Sequence, residues 1–188
     1  IEKDWMCEPQ RSFGNIRSFL FIGRFERRKG IEEILKVIGT IEDKWPFTFS
    51  FVGPIPEDQR IRKENILYYG IIQDKRVLQE QINRSDVLIC PSFAEGMPNV
   101  IIEAMANGCA VIATDVGAVS QLVNDDNGWL IPPGNEPALK AAMLRALQLS
   151  DEEIYRKKMA AYRHIEENFL WPDVIGLLIR KVTKIIGK

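Results

Sequence analysis

The stretch DVLICPSFAEGMPNVIIEAMANG, residues 86–108, decides the fold because its hydrophobic period changes along its length. Asp86–Cys90 is a short apolar run, typical of a buried parallel strand. Pro91–Pro98 is a loop containing Gly and Pro. Apolar residues then recur at helical spacing behind Pro98, which suits a first helical turn: Val100, Ile101, Ala104 and Met105. A strand followed by a loop and a helix indicates half of a βαβ unit.

The same alternation continues along the chain in both directions. Further apolar runs are Ser18–Ile22, Phe47–Val52, Ala110–Ala113 and Trp129–Ile131, with Ile66–Tyr69 as a shorter candidate. Helical spacing appears between them at Ile31, Ile34, Leu35 and Ile38, and again at Val77, Leu78 and Ile82. Right-handed crossovers between such strands predict an α/β fold: a Rossmann-like, doubly wound parallel sheet in three α/β/α layers.

After Pro132-Pro133-Gly134 the pattern is helical only. Pro137–Leu149 forms one predicted helix, and Asp151–Asn168 forms a second behind a capping box of Ser150 and Glu153. The last predicted helix, Trp171–Ile186, carries an apolar stripe of Trp171, Val174, Ile175, Leu178, Val182 and Ile185. We expect a linker or N-terminal extension over residues 1–17 and one domain over residues 18–188.

The stripe of the last helix allows three interpretations. Core packing is the favoured one, because an apolar stripe at helical spacing is most often buried. An interface with another domain is the second. A peripheral membrane helix is the third, since cations flank the stripe: Arg180, Lys181, Lys184 and Lys188.

Composition limits the classes of function. The 188 residues carry 46% hydrophobic and 27% charged side chains and a net charge of −1, so no global basic field indicates nucleic-acid binding. No apolar run approaches the roughly 18 residues that span a bilayer, and no signal-peptide pattern opens the sequence. Cys7, Cys90 and Cys109 show no CxxC spacing, which favours a reduced, cytoplasmic compartment.

The loop GRFERRKG, residues 23–30, follows the first predicted strand and places four cations in six positions. Ligands of open α/β sheets bind at the carboxyl ends of strands. There, Arg24 would offer a planar fork for two phosphate oxygens and Lys29 a compact charge. A solvated charged loop is the alternative. Neither GxxxxGK[ST] nor GxGxxG occurs, so the chain has no P-loop and no dinucleotide fingerprint.

The loop within residues 86–108 carries a second candidate constellation. Glu95 lies in the loop and Glu103 in the following helix, eight positions apart. Gly96 allows a ligand to approach the backbone, and the start of the helix offers unpaired N–H groups to an anion. Carboxylates accept hydrogen bonds from sugar hydroxyls. The alternative is that both carboxylates are surface charges, but Glu103 lies on a mostly apolar helix, where a buried carboxylate needs a partner.

These motifs resemble those of a known family. The Glu-x7-Glu pattern, from Glu95 to Glu103 and followed by AMANG, resembles the signature of GT-B glycosyltransferases of the family 4 type. GRFERRKG resembles that family's GR-x4-KG phosphate loop, and FVGPIP its strand-ending Gly loop. ILYYGII, SDVLICPS, CAVIATDVG and NGWLIPPGN follow in the family's order. The likeness runs from Ser18 to about Asn135 and is weaker in the final helices.

The resemblance implies that this chain is the C-terminal, donor-binding half of a GT-B fold, whose acceptor site and catalytic His lie in a separate N-terminal domain. It implies that a donor diphosphate is bound by Arg24, Lys29 and the amides of Gly96, Met97, Asn99 and Val100. Glu103 would hold the ribose, and Glu95, the catalytic candidate, would hold the donor sugar. Gly53, Pro54 and the Tyr69–Ile71 segment would edge the base pocket. The resemblance also implies retention at the anomeric carbon.

The donor would be a UDP-, GDP- or ADP-linked sugar, which is a substrate, so no cofactor is expected. The chain lacks the DxD motif of metal-dependent transferases, and we therefore expect no metal. His164, the sole histidine, is expected to be a surface or packing residue. The family more often has Gly at position 118 and an acid at position 121, where this chain has Ala118 and Gln121.

Two other functions fit the residues. A nucleotide-sugar 2-epimerase is also built on two such lobes, although it would need paired acid and base groups that this sequence does not show. A non-catalytic nucleotide-sugar-binding module is the other. Turnover with an acceptor separates a transferase from both, because an epimerase needs no acceptor.

Overall fold

A parallel sheet forms the centre of the molecule. The computed structural model describes residues 1–11, 16–41, 45–171, 174–176, 179 and 182–183. The strands in this part of the chain are β1 (Arg17–Ile22), β2 (Phe47–Val52), β3 (Ile66–Gly70), β4 (Val87–Cys90), β5 (Ala110–Thr114) and β6 (Gly128–Ile131). They pair in the order β3-β2-β1-β4-β5-β6, and every pairing is parallel. The predicted strands are confirmed, and every strand end lies within one residue of its predicted position.

Helices cover both faces of this sheet. They are α1 (Ile31–Ile38), α2 (Lys75–Asn83), α3 (Asn99–Ala106), α4 (Glu136–Gln148) and α5 (Asp151–Asn168). The predicted capping box is present, since the Ser150 hydroxyl accepts from the Glu153 N–H and the Glu153 carboxylate accepts from the Ser150 N–H. The predicted three-layer α/β/α architecture is confirmed. Val77 of α2 is an exception to the predicted apolar faces, because it is exposed.

Successive side chains of β1 pack alternately into two separate hydrophobic cores, one on each face of the sheet. Phe19 and Phe21 point to one face, where they join the aromatic side chains of β2 and are covered by α1 and α4. Leu20 points to the other face, which α2, α3 and α5 cover. Both faces of the central strands are therefore dry, which explains why these strands are continuous apolar runs.

The chain reverses its direction across the sheet between β1 and β4. From β1 the order runs outward through β2 to β3, and it then returns to β4 on the other side of β1. Phe19 pairs with Val87 and Leu20 with Leu88. Crossovers from β1 and β4 leave toward opposite faces, so a crevice opens at the carboxyl ends of these two strands. The two loops that sequence analysis selected, after Ile22 and after Cys90, border this crevice.

Buried charges fasten the opposite, amino-terminal edge of the sheet to α5. Lys158 Nζ lies 3.2 Å from Asp86 Oδ1, and both side chains are almost fully buried. The other Asp86 oxygen accepts hydrogen bonds from the N–H and the hydroxyl of Ser18. Arg17 pairs with Asp151 at 2.6 Å. These polar contacts lie away from the crevice, so their role is to hold the helix on the sheet.

The segment predicted as a linker packs against the domain where the structure describes it, over residues 1–11. The Cys7 N–H donates to the Ala106 carbonyl at 2.9 Å, and Asn83 Nδ2 donates to the Glu8 carbonyl at 3.3 Å. Trp5 packs against the core on the face of α2, α3 and α5. The segment therefore runs along these helices. That it links this domain to a preceding one stays a prediction.

The core-packing interpretation of the last stripe is wrong for the stripe residues that the structure describes. Trp171, Val174, Ile175 and Val182 are 53%, 37%, 47% and 44% exposed. On the face of the sheet that α5 covers, the core contacts come instead from Ala161 and Ile165 of α5, which are fully buried. Leu178, Ile185 and the flanking cations Arg180, Lys181, Lys184 and Lys188 lie outside the described residues. In the described part of the chain, no helix combines the length and apolarity needed to cross a bilayer.

The buried pair of Lys158 and Asp86 generates a stability prediction. Lys158→Met should lower the free energy of unfolding by about 3–5 kcal/mol, because it leaves a buried carboxylate without its cation. Denaturant unfolding measures this change. Arg163→Met, on the exposed side of the same helix, should change it by less than about 0.5 kcal/mol. Adding Asp86→Asn should recover part of the loss, whereas a loss below about 1 kcal/mol for Lys158→Met would contradict the account.

Candidate functional site

The loops after β1 and β4 touch each other across the crevice. Gly30 has φ 68°, and a Cβ placed on it would lie 2.1 Å from the Pro91 carbonyl oxygen, so only glycine fits there. The Phe93 N–H donates to the Arg28 carbonyl at 2.8 Å. The two loops are thus joined through their backbones before any side chain is considered.

Charged side chains of both loops form one network. Lys29 Nζ lies 2.7 Å from Glu95 Oε1, and Arg28 Nη1 lies 4.0 Å from Glu95 Oε2. Glu26 lies 3.5 Å from Arg28 and 3.0 Å from Arg24. Five alternating charges therefore run from Arg24 to Lys29 across the crevice. The structure brings together Arg24, Lys29 and Glu95, as the sequence predicted, and adds Arg28 and Glu26.

The Glu95 carboxylate is held in its charged form. Its side chain is 9% exposed, and this burial raises its pKa. Hydrogen bonds from Lys29 and Ser92, with the charges of Lys29 and Arg28, outweigh the burial and leave the pKa below its usual range. An ionised carboxylate only accepts hydrogen bonds, so Glu95 is suited to contact hydroxyl groups.

The loop after β5 supports the backbone of Glu95 and Gly96. Gly117 has φ 57°, and a Cβ on it would lie 1.9 Å from the Glu95 carbonyl oxygen. The Ala118 N–H donates to the Gly96 carbonyl at 3.0 Å. This contact uses the backbone of position 118, so the presence of Ala118 instead of Gly leaves it intact. The Gln121 carbonyl lies 3.0 Å from His164 Nε2, which makes His164 a packing residue as expected.

The amino end of α3 faces the same region. Pro98 is the N-cap and makes no side-chain capping bond, so its side chain leaves the first N–H groups of α3 uncapped. A Cβ on Gly96 would meet no described atom within 4 Å beyond its chain neighbours, which means that the backbone there borders open space. Met97 and Asn99 are exposed, and Val100 is half-buried against the core.

Glu103 lines an open cleft of about 910 Å³ beside this helix end. The other residues of the cleft come from three parts of the chain: Ile1, Glu2 and Trp5; Met97, Asn99 and Ile102; Glu167, Asn168, Phe169, Trp171 and Val174. Burial raises the pKa of Glu103, and its carboxylate has no hydrogen-bond or ion-pair partner among the described residues. Glu103 is half-buried, and the partner expected for a buried carboxylate is not found within the described chain.

The two other predicted nucleoside residues lie at the same sheet edge but not in this cleft. The Gly53 N–H donates to the Gly70 carbonyl at 2.7 Å, and a Cβ on Gly53 would lie 1.9 Å from the Gly23 carbonyl oxygen. The loops after β1, β2 and β3 are therefore in contact. Tyr69 is 43% exposed at the end of β3. The nucleoside roles of Gly53, Tyr69 and Glu103 stay predictions.

Apart from Arg28, three residues of the site were not selected from the sequence. Glu26 lies within the cationic loop itself, and an acid between cations is a signal for an internal ion pair. Ser92 forms a hydrogen bond with the Glu95 side chain, and Gly117 packs against the Glu95 backbone carbonyl. No local pattern marks these last two. In the described residues, no group of three or more His, Cys, Asp or Glu side chains is placed to hold a metal ion.

Comparison with known proteins identifies the family of the chain. The family model described as glycosyl transferases group 1 matches residues 16–149. The chain belongs to this family. A Bacillus subtilis protein described as a glycosyltransferase of teichuronic acid biosynthesis, TuaC, is 32% identical over 155 residues, which are 81% of this chain and 38% of TuaC. The chain spans about a third to a half of the length of the curated relatives it matches.

Solved structures of glycosyltransferases have the same fold. The C-terminal domain of the group 1 family protein LpcC from Francisella tularensis superposes with a TM-score of 0.72 at 24% identity, covering 82% of this chain and 87% of that domain. A TarM variant from S. aureus, solved with UDP among its ligands, gives a TM-score of 0.75 at 18% identity, covering 93% of this chain and 37% of TarM. These likenesses confirm the GT-B type of fold.

The unpartnered Glu103 generates a second prediction. Because its pKa is raised in the folded chain, ionising it costs stability above that pKa and costs nothing below its ordinary pKa. Glu103→Gln should therefore raise the thermal midpoint at about pH 7.5 by on the order of 1–2 °C, and the gain should vanish near pH 4.

Differential scanning fluorimetry at the two pH values measures this effect. The matched control is Glu64→Gln, since Glu64 is exposed. The control should leave the midpoint unchanged at both pH values. A lower midpoint for Glu103→Gln at pH 7.5 would show that the folded chain stabilises the charge.

Proposed function

We propose that this chain is the nucleotide-sugar-binding half of a metal-independent glycosyltransferase that retains the anomeric configuration. The observation that carries the proposal is the contact between Lys29 and Glu95 at 2.7 Å, which joins the two candidate loops at the switch point of the sheet. A phosphate-binding cation and a sugar-binding carboxylate must be neighbours there, because the sugar of such a donor is bonded directly to its second phosphate.

The charge network suits a diphosphate. Arg24, Arg28 and Lys29 provide three positive charges, which Glu26 and Glu95 compensate only in part. A diphosphate supplies several acceptor oxygens, and both forked and point-like cations are present to meet them. On binding, the cations would give up their carboxylate partners and contact the phosphates instead. Glu95 would then be free of Lys29 and could accept hydrogen bonds from the sugar hydroxyls.

The same groups would stabilise the leaving group during transfer. As the bond from the anomeric carbon to the diphosphate breaks, positive charge develops on the sugar and negative charge on the leaving phosphate. Arg24, Lys29 and the uncapped amino end of α3 would meet that negative charge without a metal ion. A preorganised donor of this kind is worth roughly 2.7–4 kcal/mol in comparable oxyanion sites.

The carboxylates would bind the two ends of the donor. Glu95, close to the cations, would accept from the donor sugar, and Glu103 in its cleft would accept from the ribose. UDP is a ligand of TarM, and TuaC is described for teichuronic acid biosynthesis. These relatives support a nucleoside diphosphate sugar as donor and the synthesis of a cell-surface polysaccharide as the process.

The acceptor and the remaining catalytic groups would come from an N-terminal domain of the same protein. The exposed side chains of Trp171, Val174, Ile175 and Val182, and the open cleft beside Glu103, would be surfaces for that domain, or for a membrane at its inner face. A cytoplasmic location fits the supply of nucleotide sugars. By itself, this half would bind the donor without completing the transfer.

Charge substitutions at the network test the donor site. Lys29→Met and Arg24→Met should each weaken UDP, GDP or ADP binding by about 1.5–3 kcal/mol, the range for charged hydrogen bonds. Glu95→Gln should strengthen binding roughly fivefold, because it frees Lys29 from an ion pair worth about 1 kcal/mol, while it should reduce transfer from the intact donor.

Isothermal titration calorimetry with each nucleotide gives these affinities. Arg62→Met is the matched control, since Arg62 is exposed and lies on a loop before β3. The donor assignment fails if affinities are unchanged in both Lys29→Met and Arg24→Met while the parent chain binds. If Glu95→Gln binds the nucleotides more weakly than the parent chain, the proposal that phosphate replaces Glu95 as the partner of Lys29 is wrong.

Metal independence has its own test. Transfer by the full-length protein to an acceptor should proceed at the same rate after treatment with EDTA, because side chains and a helix end supply the positive charge. A radiolabelled-sugar assay with and without added Mg²⁺ or Mn²⁺ measures this. Activity that EDTA abolishes and a divalent ion restores would contradict the proposal.

A further inference from the structure

Arg27 is the one cation of the loop over residues 23–30 whose contacts, in the described chain, lie outside the charge network. Its guanidinium Nη1 lies 2.7 Å from Glu33 Oε1 and 2.8 Å from Glu33 Oε2, at the first turn of α1. It also lies 4.1 Å from the centre of the Phe93 ring. Arg24, Arg28 and Lys29 contact Glu26 or Glu95 instead. The four cations therefore divide into three at the network and one beside α1.

The position of Arg27 is fixed by the burial of its partner. The Glu33 side chain is only 5% exposed, so its charge needs a cation close by. If Arg27 turned toward a ligand in the crevice, Glu33 would remain as an uncompensated buried charge. This cost keeps Arg27 on α1 and makes it unsuited to bind phosphate directly.

Phe93 connects Arg27, in the loop after β1, to the loop after β4. Its ring receives the guanidinium on its face, and its N–H donates to the Arg28 carbonyl at 2.8 Å. The ring also lies 3.0 Å from where a Cβ on Gly134 would stand. One aromatic residue thus contacts the loop after β1, belongs to the loop after β4, and packs under the chain after β6.

We propose that Arg27 is a positioning residue for the donor diphosphate. Clamped between Glu33 and Phe93, it holds the loop of residues 23–30 against the loop of residues 91–98, and so places Lys29 and Arg24 for the phosphates. The inference rests on the proposed function, since it assigns a role within the same site. Phe93 and Glu33 act through Arg27 and touch no substrate.

The test separates positioning from direct contact and from simple stabilisation. UDP, GDP and ADP are titrated into this chain at low and high salt, and thermal midpoints are recorded. The variants are Arg27→Met, Arg27→Met with Glu33→Gln, Lys29→Met, and Arg62→Met as the charge-matched control. Salt weakens direct charge contacts, so its effect on affinity reports whether a phosphate contact has been lost.

Arg27→Met should lower nucleotide affinity by roughly tenfold, because the loop must then be ordered on binding. In Arg27→Met, nucleotide affinity should depend on salt as it does in the parent chain, whereas Lys29→Met should reduce this dependence. Adding Glu33→Gln should restore the thermal midpoint without restoring the affinity, because the loop is still unclamped.

Three results would overturn the inference. If affinity returns together with the thermal midpoint, Arg27 only stabilises the fold. If Arg27→Met reduces the salt dependence as Lys29→Met does, Arg27 contacts phosphate. If Arg27→Met leaves affinity unchanged while Lys29→Met weakens it, the clamp is irrelevant and the proposed function stands. If the parent chain binds none of the three nucleotides, or if Lys29→Met has no effect either, the proposed function fails first.

Discussion

The pairing of β1 with β4 is the constraint from which the site follows. These strands are neighbours in the sheet although two strands and two helices separate them along the chain. Their crossovers leave toward opposite faces, so the sheet cannot fill the space beyond their carboxyl ends. Each strand is buried on both faces, so a one-residue slip in register would exchange its side chains between two differently packed cores. The positions of the loops after Ile22 and Cys90 are therefore set by the core.

Within that crevice the loops are fixed by steric fit and then by charge. Gly30 against Pro91 and Gly117 against Glu95 allow backbone approaches that no other residue permits. The ion pairs between Lys29, Arg28, Glu26 and Glu95 form on this backbone frame. Because the backbone beneath them is fixed in this way, the long and flexible side chains of this network are held close enough to pair with one another in the described chain. Rigid backbone contacts beneath a charged surface are the arrangement that preorganised electrostatic binding requires.

The strands could be predicted because burial on both faces gives short, continuous apolar runs, and the helices of the middle of the chain because burial of one face gives a helical hydrophobic period. The location of Arg24, Lys29 and Glu95 at one crevice could be predicted because all three lie in loops at the carboxyl ends of parallel strands. Ser92 and Gly117 could not be found, because their roles depend on contacts between loops distant in sequence. The stripe from Trp171 was misassigned since periodicity shows that a face is apolar but not what covers it. Glu103 shows a related limit: the sequence placed it on α3 as a ligand-binding carboxylate but did not indicate that its side chain would have no partner among the described residues.

Carboxylates that pair with the cations of the crevice also change what can enter it. Glu26 and Glu95 are tethered counter-ions, present at an effective concentration that no free ion in solution approaches. Chloride or a single phosphate must compete with them one contact at a time. A chain of two linked phosphates can replace several contacts in one event. The resting network thereby screens the crevice against the common small anions of its surroundings and favours ligands of higher valency.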